Sequence, residues 1–234
     1  MIEGYCIQSG ALVPASLNHA AVWLCIAPDA EEHRLLQQHL GIGPQVLESS
    51  LDPDEVARIE IKPDHLFLIW KRPENFDGRA FNVSSLGVVL SEQRLVVICA
   101  SNSLLSSVQG DSGLGGTLDV LMALLADSVH HYLGHLRVVK QVAREIQQQF
   151  TRTMDNQQLA QLYNLSESLV YYVNAIRSNG SVLTLLRSHG QRHGLRAELP
   201  AGKNSRQGIR QLDRVARQPF QQRHEPGTAQ ADLD

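Results

Sequence analysis

The sequence predicts an α/β fold: a mixed β-sheet in an α/β/α sandwich, followed by a long antiparallel helical hairpin. Residues 1–100 alternate short β-type runs with helical ones. Two of the runs, residues 66–70 and 95–98, are apolar at every position, which places them in the middle of a sheet with cover on both faces. From Leu118 onward, apolar residues recur at gaps of three and four across a stretch far longer than an ordinary globular helix.

The elements follow in order. Residues 5–7, 11–13 and 20–26 read as strands, the first two joined by Gln8-Ser9-Gly10, whose Ser-Gly suits a tight hairpin turn. Pro28-Asp29 opens a helix from Ala30 to Leu40, with Asp29 as N-cap and Gly41 as its stop. Pro44, at a first helical position, starts a short helix ending near Ser50. Asp52-Pro53-Asp54-Glu55 has the form of a cap, a proline and an acidic first turn, and predicts a further helix to about Ala57. Four β-type runs come next, at residues 58–61, 65–71, 82–90 and 95–100, with a longer exposed loop at Asn75-Phe76-Asp77-Gly78. The first long helix places apolar residues at 118, 121, 125, 129, 132, 136, 139, 142, 146 and 150. A turn at residues 151–156 follows, and the pattern resumes at 159, 162, 165, 169, 173 and 176 and continues to Leu186. Two such helices joined by a short turn pack antiparallel, each burying a stripe against its neighbour or the sheet.

Three segments result: an α/β part at 1–110, the hairpin at 111–187, and a tail at 188–234. The tail loses apolar periodicity and gathers Arg, Gln, Gly and Pro. Residues 187–234 hold nine of the 21 Lys and Arg and five of the 24 Asp and Glu, so residues 1–186 carry −7 and the rest +4. The tail's apolar residues are too sparse to offset the cost of ordering backbone, about 1–2 kcal/mol per residue, which predicts disorder. Two origins fit this composition, a natural disordered tail and out-of-frame translation starting near residues 187–200.

Composition also excludes several classes. A chain of 234 residues with 43% hydrophobic content can bury one substantial core. Its apolar runs, among them five residues at 66–70 and six at 95–100 and none longer than the eight at 20–27, fall far short of the roughly 20 that cross a bilayer as a helix. The N-terminus has neither the basic start nor the apolar stretch of a secretory signal. Cys6, Cys25 and Cys99 lie in strand-like apolar contexts without a CxxC pair, which predicts buried, reduced thiols. The basic tail disperses its Arg residues and offers only Phe220 for base stacking, so no nucleic-acid partner is expected.

Candidate chemistry is thin. Asp111-Ser112-Gly113-Leu114-Gly115-Gly116 precedes a helix but lacks both the Lys-Ser/Thr of a phosphate loop and a full GxGxxG, and reads as a linker. Asp127, His131 and His135 fall at i, i+4 and i+8 on one helix face; such a stripe can chelate Zn²⁺ or Ni²⁺, but a solvated polar face is the expected reading. His189 and His193 repeat the spacing. Asp52, Asp54, Glu55 and Glu60 form the densest carboxylate cluster, which the helix dipole explains. No GxSxG elbow or catalytic cysteine context is present, so the chain is not expected to be an enzyme.

One resemblance adds to this reading. Residues 51–60 (Leu-Asp-Pro-Asp-Glu-Val-Ala-Arg-Ile-Glu), 65–73 (His-Leu-Phe-Leu-Ile-Trp-Lys-Arg-Pro) with the acidic loop after them, and the paired runs at 86–90 and 94–98 resemble the cytosolic domain of CorA-type magnesium transporters. Residues 168–176 resemble the register of that family's second long cytosolic helix. The likeness covers about residues 1–187. It implies a homopentameric, channel-like transporter of Mg²⁺ or related divalent cations in the inner (plasma) membrane, whose cytosolic domains form a funnel. The Gly-Met-Asn selectivity loop of the family and its membrane helices have no counterpart here. The resemblance therefore implies a cytoplasmic piece truncated before the pore, not transport-competent alone, with its pentamer weakened or lost. It further implies that Glu74 and Asp77 lie where the family carries Mg²⁺-sensing acids, as half of a weak regulatory site whose partner carboxylates are missing. Mg²⁺ favours oxygen ligands and retains several waters, so two carboxylates suit it. The reading from a different class is a soluble regulatory or protein-interaction module.

Overall fold

The computed structural model describes residues 1–74, 81–101, 113–150 and 156–192. Seven strands, β1 (Ile2–Gln8), β2 (Ala11–Ala15), β3 (Val22–Ile26), β4 (Arg58–Ile61), β5 (His65–Pro73), β6 (Val83–Ser91) and β7 (Leu95–Cys99), make one sheet in the order β2-β1-β3-β7-β6-β5-β4. Every neighbouring pair is antiparallel except β3 and β7, which run parallel with Val22 opposite Leu95. Ser9 and Gly10 take φ values of 51° and 82°, the left-handed conformations that a two-residue hairpin turn between β1 and β2 requires.

Helices α1 (Ala30–Leu40) and α2 (Pro44–Leu51) cover one face of the sheet, and α3 (Thr117–Phe150) and α4 (Asn156–Arg192) the other. The period-two alternation of the central strands divides the core between them. Trp23, Cys25, Val96 and Ile98 pack with Leu36, Ile42 and Leu47 on the α1/α2 side. Val22, Leu24, Leu95 and Val97 pack with Val120, Leu121, Leu124, Leu125 and Val182 on the α3/α4 side. The expected sandwich with central 66–70 and 95–98 segments is therefore present, and β5 to β7 are buried along most of their length.

Local chemistry explains the helix ends. Asp29 Oδ1 accepts hydrogen bonds from the Glu31 and Glu32 N–H groups at 2.9 Å, and Glu32 Oε2 accepts one from the Asp29 N–H at 2.9 Å, a reciprocal capping box. Gly41, at φ 64°, closes α1. α2 lies so close to β6 that a side chain at Gly87 would overlap Ser50, so only glycine lets the helix seat on the sheet.

Two expectations are corrected. Residues 52–57 form a turn, not a helix: the Asp54 N–H donates to Asp52 Oδ1 at 2.9 Å, and the chain has only a few residues before β4 begins. An aspartate ahead of a proline caps a turn as readily as a helix, and so short a segment does not offset helix nucleation. In α4 the buried stripe is Leu165, Ser168, Tyr172, Ala175, Asn179 and Val182, while Leu159, Leu162 and Val173 are exposed. The apolar pattern placed Leu165, Leu169, Ile176 and Val182 on the packed side but gave only part of this face, because two buried positions are polar and satisfied by hydrogen bonds. The Ser168 hydroxyl accepts from the Phe81 N–H at 3.2 Å. The Asn179 amide accepts from the Lys71 N–H at 3.0 Å and donates to the Lys71 carbonyl at 2.7 Å. α4 also runs to Arg192, past the compositional break near residue 187. The turn at 151–155, residues 111 and 112 of the glycine-rich stretch, and the tail from 193 lie outside the described residues.

Candidate functional site

Of the features predicted as functional, Glu74 and the Asp127, His131 and His135 stripe lie near one end of β5, where the strand leaves the sheet next to the middle of the helical hairpin. β5 is apolar from Leu66 to Trp70 and then turns to Lys71, Arg72 and Pro73, with Glu74 just after it. Trp70 anchors the transition: fully buried, it donates from Nε1 to the Ser128 hydroxyl on α3 at 2.8 Å. Beyond Ile69, β5 has lost β4 as a neighbour, because β4 begins at Arg58 opposite Ile69. The Asn179 side chain takes the place of the missing strand, bonding both backbone groups of Lys71. The Lys71 ammonium folds back to the Ser85 hydroxyl at 2.9 Å and to the Pro53 carbonyl, and burial lowers its pKa against the opposing pull of Asp52, Asp54 and Glu55.

Glu74 follows at the base of the loop. It is half-buried, its N–H donates to the Asn82 carbonyl at 2.9 Å, and its charge acts on both Arg72 and Tyr172. Asp77, the second predicted sensing acid, lies outside the described residues, as does the loop from residue 75 to 80. Arg72 is buried; desolvation lowers its pKa, and the nearby Cys99, Asp127, Glu74 and Tyr132 partly restore it. A carboxylate and a guanidinium therefore sit together at this end of the strand, with Asp127 of α3 completing an alternation of charge.

Beside them is an aromatic cluster. Tyr132 and Tyr172 meet edge to face with ring centres 5.3 Å apart, and Phe81 lies 6.1 Å from Tyr172 and 5.5 Å from His135. His135 Nδ1 is 2.6 Å from the Tyr172 hydroxyl, and the His131 and His135 rings lie 4.4 Å apart. Burial pushes both tyrosine hydroxyls well above their ordinary pKa, helped by Tyr172 in the case of Tyr132 and by Glu74 in the case of Tyr172. Both histidines are held below their ordinary value near 6.5: burial is the main cause, joined by Arg72 at His131 and by His131 at His135.

The histidine stripe therefore differs from its expected solvated face. Asp127, His131 and His135 are half-buried, and His135 is committed to Tyr172. Among the described residues no group of three His, Cys, Asp or Glu is placed to hold a metal ion. His189 is described and half-buried, whereas His193 is outside the described residues. The carboxylate cluster at 52–60 is likewise structural. Arg58 pairs with Glu55 at 2.7 Å and Glu60 at 3.2 Å, with its guanidinium 5.7 Å from the centre of the Phe67 ring. Cys25 and Cys99 are buried thiols, and burial pushes them up to about 12 and about 11. Cys6 is also a free thiol, half-buried.

Sequence reasoning missed Arg72, Tyr132, Tyr172, Phe81 and Asn179 as parts of this end of the molecule. The α3 positions were legible, since Ser128, His131, Tyr132 and His135 share one face at helical spacing. Their partners were not, because Tyr172 and Asn179 lie about 100 residues from β5 and no local pattern links them.

Comparison with known proteins identifies the architecture. Residues 18–215 match the family described as CorA-like Mg2+ transporter protein. The cobalt/magnesium transport protein CorA of Methanocaldococcus jannaschii is 23% identical over 199 residues, covering 77% of this chain and 61% of that protein. This chain thus spans less than two thirds of the length of that relative. Its fold is shared with the soluble domain of CorA from Methanocaldococcus jannaschii (TM-score 0.72, 22% identity, 93% of this chain and 88% of that one). It is also shared with the ZntB cytoplasmic domain from Vibrio parahaemolyticus (TM-score 0.65, 11% identity, 92% and 88%). The family match continues past Arg187 to residue 215, which counts against out-of-frame translation beginning at residues 187–200. With most of its length matched and the same mixed sheet and helical hairpin, the chain belongs to the CorA-like Mg2+ transporter family.

Proposed function

We propose that this chain is the cytosolic domain of a CorA-like transporter of Mg²⁺ or a related divalent cation, a non-catalytic part that does not conduct ions by itself. The family match over residues 18–215 carries this reading. Two facts support it: the fold is that of a CorA soluble domain, and no helix among the described residues is long and apolar enough to cross a membrane. On this reading the chain lies on the cytoplasmic side of the membrane that holds the full-length transporter, and its pentamer depends on segments beyond the matched domain. Glu74 and Asp77 supply half of a weak Mg²⁺ site, with Arg72 beside Glu74 limiting its affinity for a cation while no further carboxylate is added.

The test is a chimera in which residues 1–192 replace the soluble domain of Methanocaldococcus jannaschii CorA. Mg²⁺ influx is expected in proteoliposomes holding the chimera and none above background with this chain alone. Influx through the chain alone, or a chimera that inserts and assembles yet never conducts, would overturn the proposal. A second reading, a soluble interaction module, draws on the exposed apolar residues of α4. It would be established by a stoichiometric soluble partner in pull-downs that α4 surface variants lose.

A further inference from the structure

The connection between α1 and α2 leaves a cleft over one end of the sheet, open between that connection and the turn joining β4 to β5. It holds about 530 Å³, inside the range of roughly 300–1000 Å³ typical of small-molecule sites. Its walls are apolar: Ile42 and Val46 from the connection and α2, and the cross-strand pair Phe67 and Val89 beneath them. Its edge is basic. Lys62 and His65 line it, and none of the lining residues is acidic. His65 Nδ1 lies 3.0 Å from the exposed Asp64 carboxylate, whereas Lys62 makes no ion pair with any described residue and acts on Asp64 only at longer range. Arg58, whose guanidinium lies against the Phe67 ring, is already matched by Glu55 and Glu60. Lys62 is therefore the cation left to meet a ligand. Gly43 adds a further observation on the cleft wall. Its φ of −72° and ψ of 160° suit any residue, and a Cβ there would have no heavy atom within 4 Å, so neither strain nor crowding calls for glycine. What its missing side chain does is leave room.

We propose that this cleft binds a small organic anion with an apolar body, its charged group at Lys62 and its hydrocarbon part against Val46, Phe67 and Val89. A bare inorganic anion would leave the apolar walls unused, and a neutral or cationic ligand would bring no partner for Lys62. The class that answers both is an amphipathic carboxylate, sulfonate or phosphate monoester, with apolar contact supplying the affinity and the ammonium fixing the orientation. A cleft of this volume, walled by one connection and one turn, suits a small molecule and not a protein segment. The site is also separate from the Glu74 end of β5. His65 begins that strand and Pro73 ends it, so the two lie a full strand length apart and the proposal stands apart from the transporter reading.

The fluorescent dye anilinonaphthalene sulfonate, a monoanion with an apolar body, tests this on the full chain, with neutral phenylnaphthylamine as the comparison. The sulfonate should saturate one site per chain with a dissociation constant on the order of 10–100 μM, and the neutral dye should bind about tenfold more weakly. Lys62→Gln should raise the dissociation constant of the sulfonate about tenfold, as the loss of a charge-assisted contact does, and leave that of the neutral dye unchanged. Val46→Trp, which fills the cleft from a half-buried position, should weaken both dyes. Val170→Glu, on the exposed face of α4, should change neither, which separates the cleft from that other apolar surface. Circular dichroism matching wild type would show that each variant folds. Equal affinity for the two dyes, or a sulfonate site unchanged by either Lys62→Gln or Val46→Trp, would overturn the proposal. So would dye binding that Val170→Glu removes, or no saturable binding up to about 1 mM.

Discussion

Asn179 is the single polar side chain on which the docking of α4 most depends, and replacing it with alanine gives a quantitative test. The residue is 4% exposed and its amide satisfies two backbone groups of Lys71 at the point where β5 outruns β4. Alanine leaves both groups buried without a partner, at about 1–3 kcal/mol each, so the loss is about 2–6 kcal/mol. Helix propensity opposes this by a few tenths of a kcal/mol, which Asn174→Ala, at an exposed position on the same helix, calibrates. Urea unfolding followed by circular dichroism measures the difference. For a chain of this size each kcal/mol moves the melting point by roughly 2–4 °C, so a drop of about 5 °C or more is expected. Asn179→Asp adds a signature that packing alone would not give. Its carboxylate can accept from the Lys71 N–H but opposes the Lys71 carbonyl, so the variant should recover stability on acidification, as protonation restores a donor. An Asn179→Ala protein within about 0.5 kcal/mol of wild type would refute the assignment of these bonds as anchors.

Other consequences are open to the same kinds of measurement. Gly87→Ala should cost about 1–3 kcal/mol by pushing α2 off β6, and adding Ser50→Gly should recover most of it; equal stability of the single and double variants would contradict the close approach. His131 and His135 have folded pKa values depressed below 6.5, so the unfolded chain binds more protons just below that pH. The stability they contribute is present above about pH 6.5 and declines as pH falls toward their folded values; His135→Gln should flatten that decline in a pH series of melting curves. Mg²⁺ should bind no more tightly than millimolar, so about 1 mM Mg²⁺ should stabilise the chain by no more than about 0.4 kcal/mol, the value reached at a concentration equal to the dissociation constant. A shift of several degrees at submillimolar Mg²⁺, lost in Glu74→Gln, would show a complete site instead.

What the sequence made legible follows the range of the forces involved. The α1 cap, the Ser9-Gly10 turn and the doubly apolar β5 and β7 are specified within a few residues, and each forms where expected. The segment at 52–57 failed because its capping chemistry is common to turns and helices. α4 failed in a more informative way. Its length was clear and Leu165, Leu169, Ile176 and Val182 pack as the pattern predicts, but Ser168 and Asn179 are buried while Leu159, Leu162 and Val173 are exposed, so hydrophobic periodicity gave only part of the face. Glu74 could be placed only through a family likeness, since nothing near it in sequence marks it as more than a loop acid. Arg72 and Tyr172, which set its surroundings, are brought together only by the packing of α4 on β5.

The parallel pairing of β3 with β7 has a consequence for the order of assembly. Every other strand pair in the sheet joins neighbours in the chain or strands a short excursion apart, but β3 meets β7 across 73 residues. The β1–β3 and β4–β7 units can each form locally, whereas their junction has to wait for a long loop to close. Until that closure neither half has a complete sheet, and the face carrying Leu24, Leu95 and Val97 has no cover until α3 and α4 arrive. During synthesis the protein therefore spends the interval between residue 99 and residue 182 with its most apolar surface unprotected. The long hairpin emerges only after the whole sheet, and its docking ends this vulnerability.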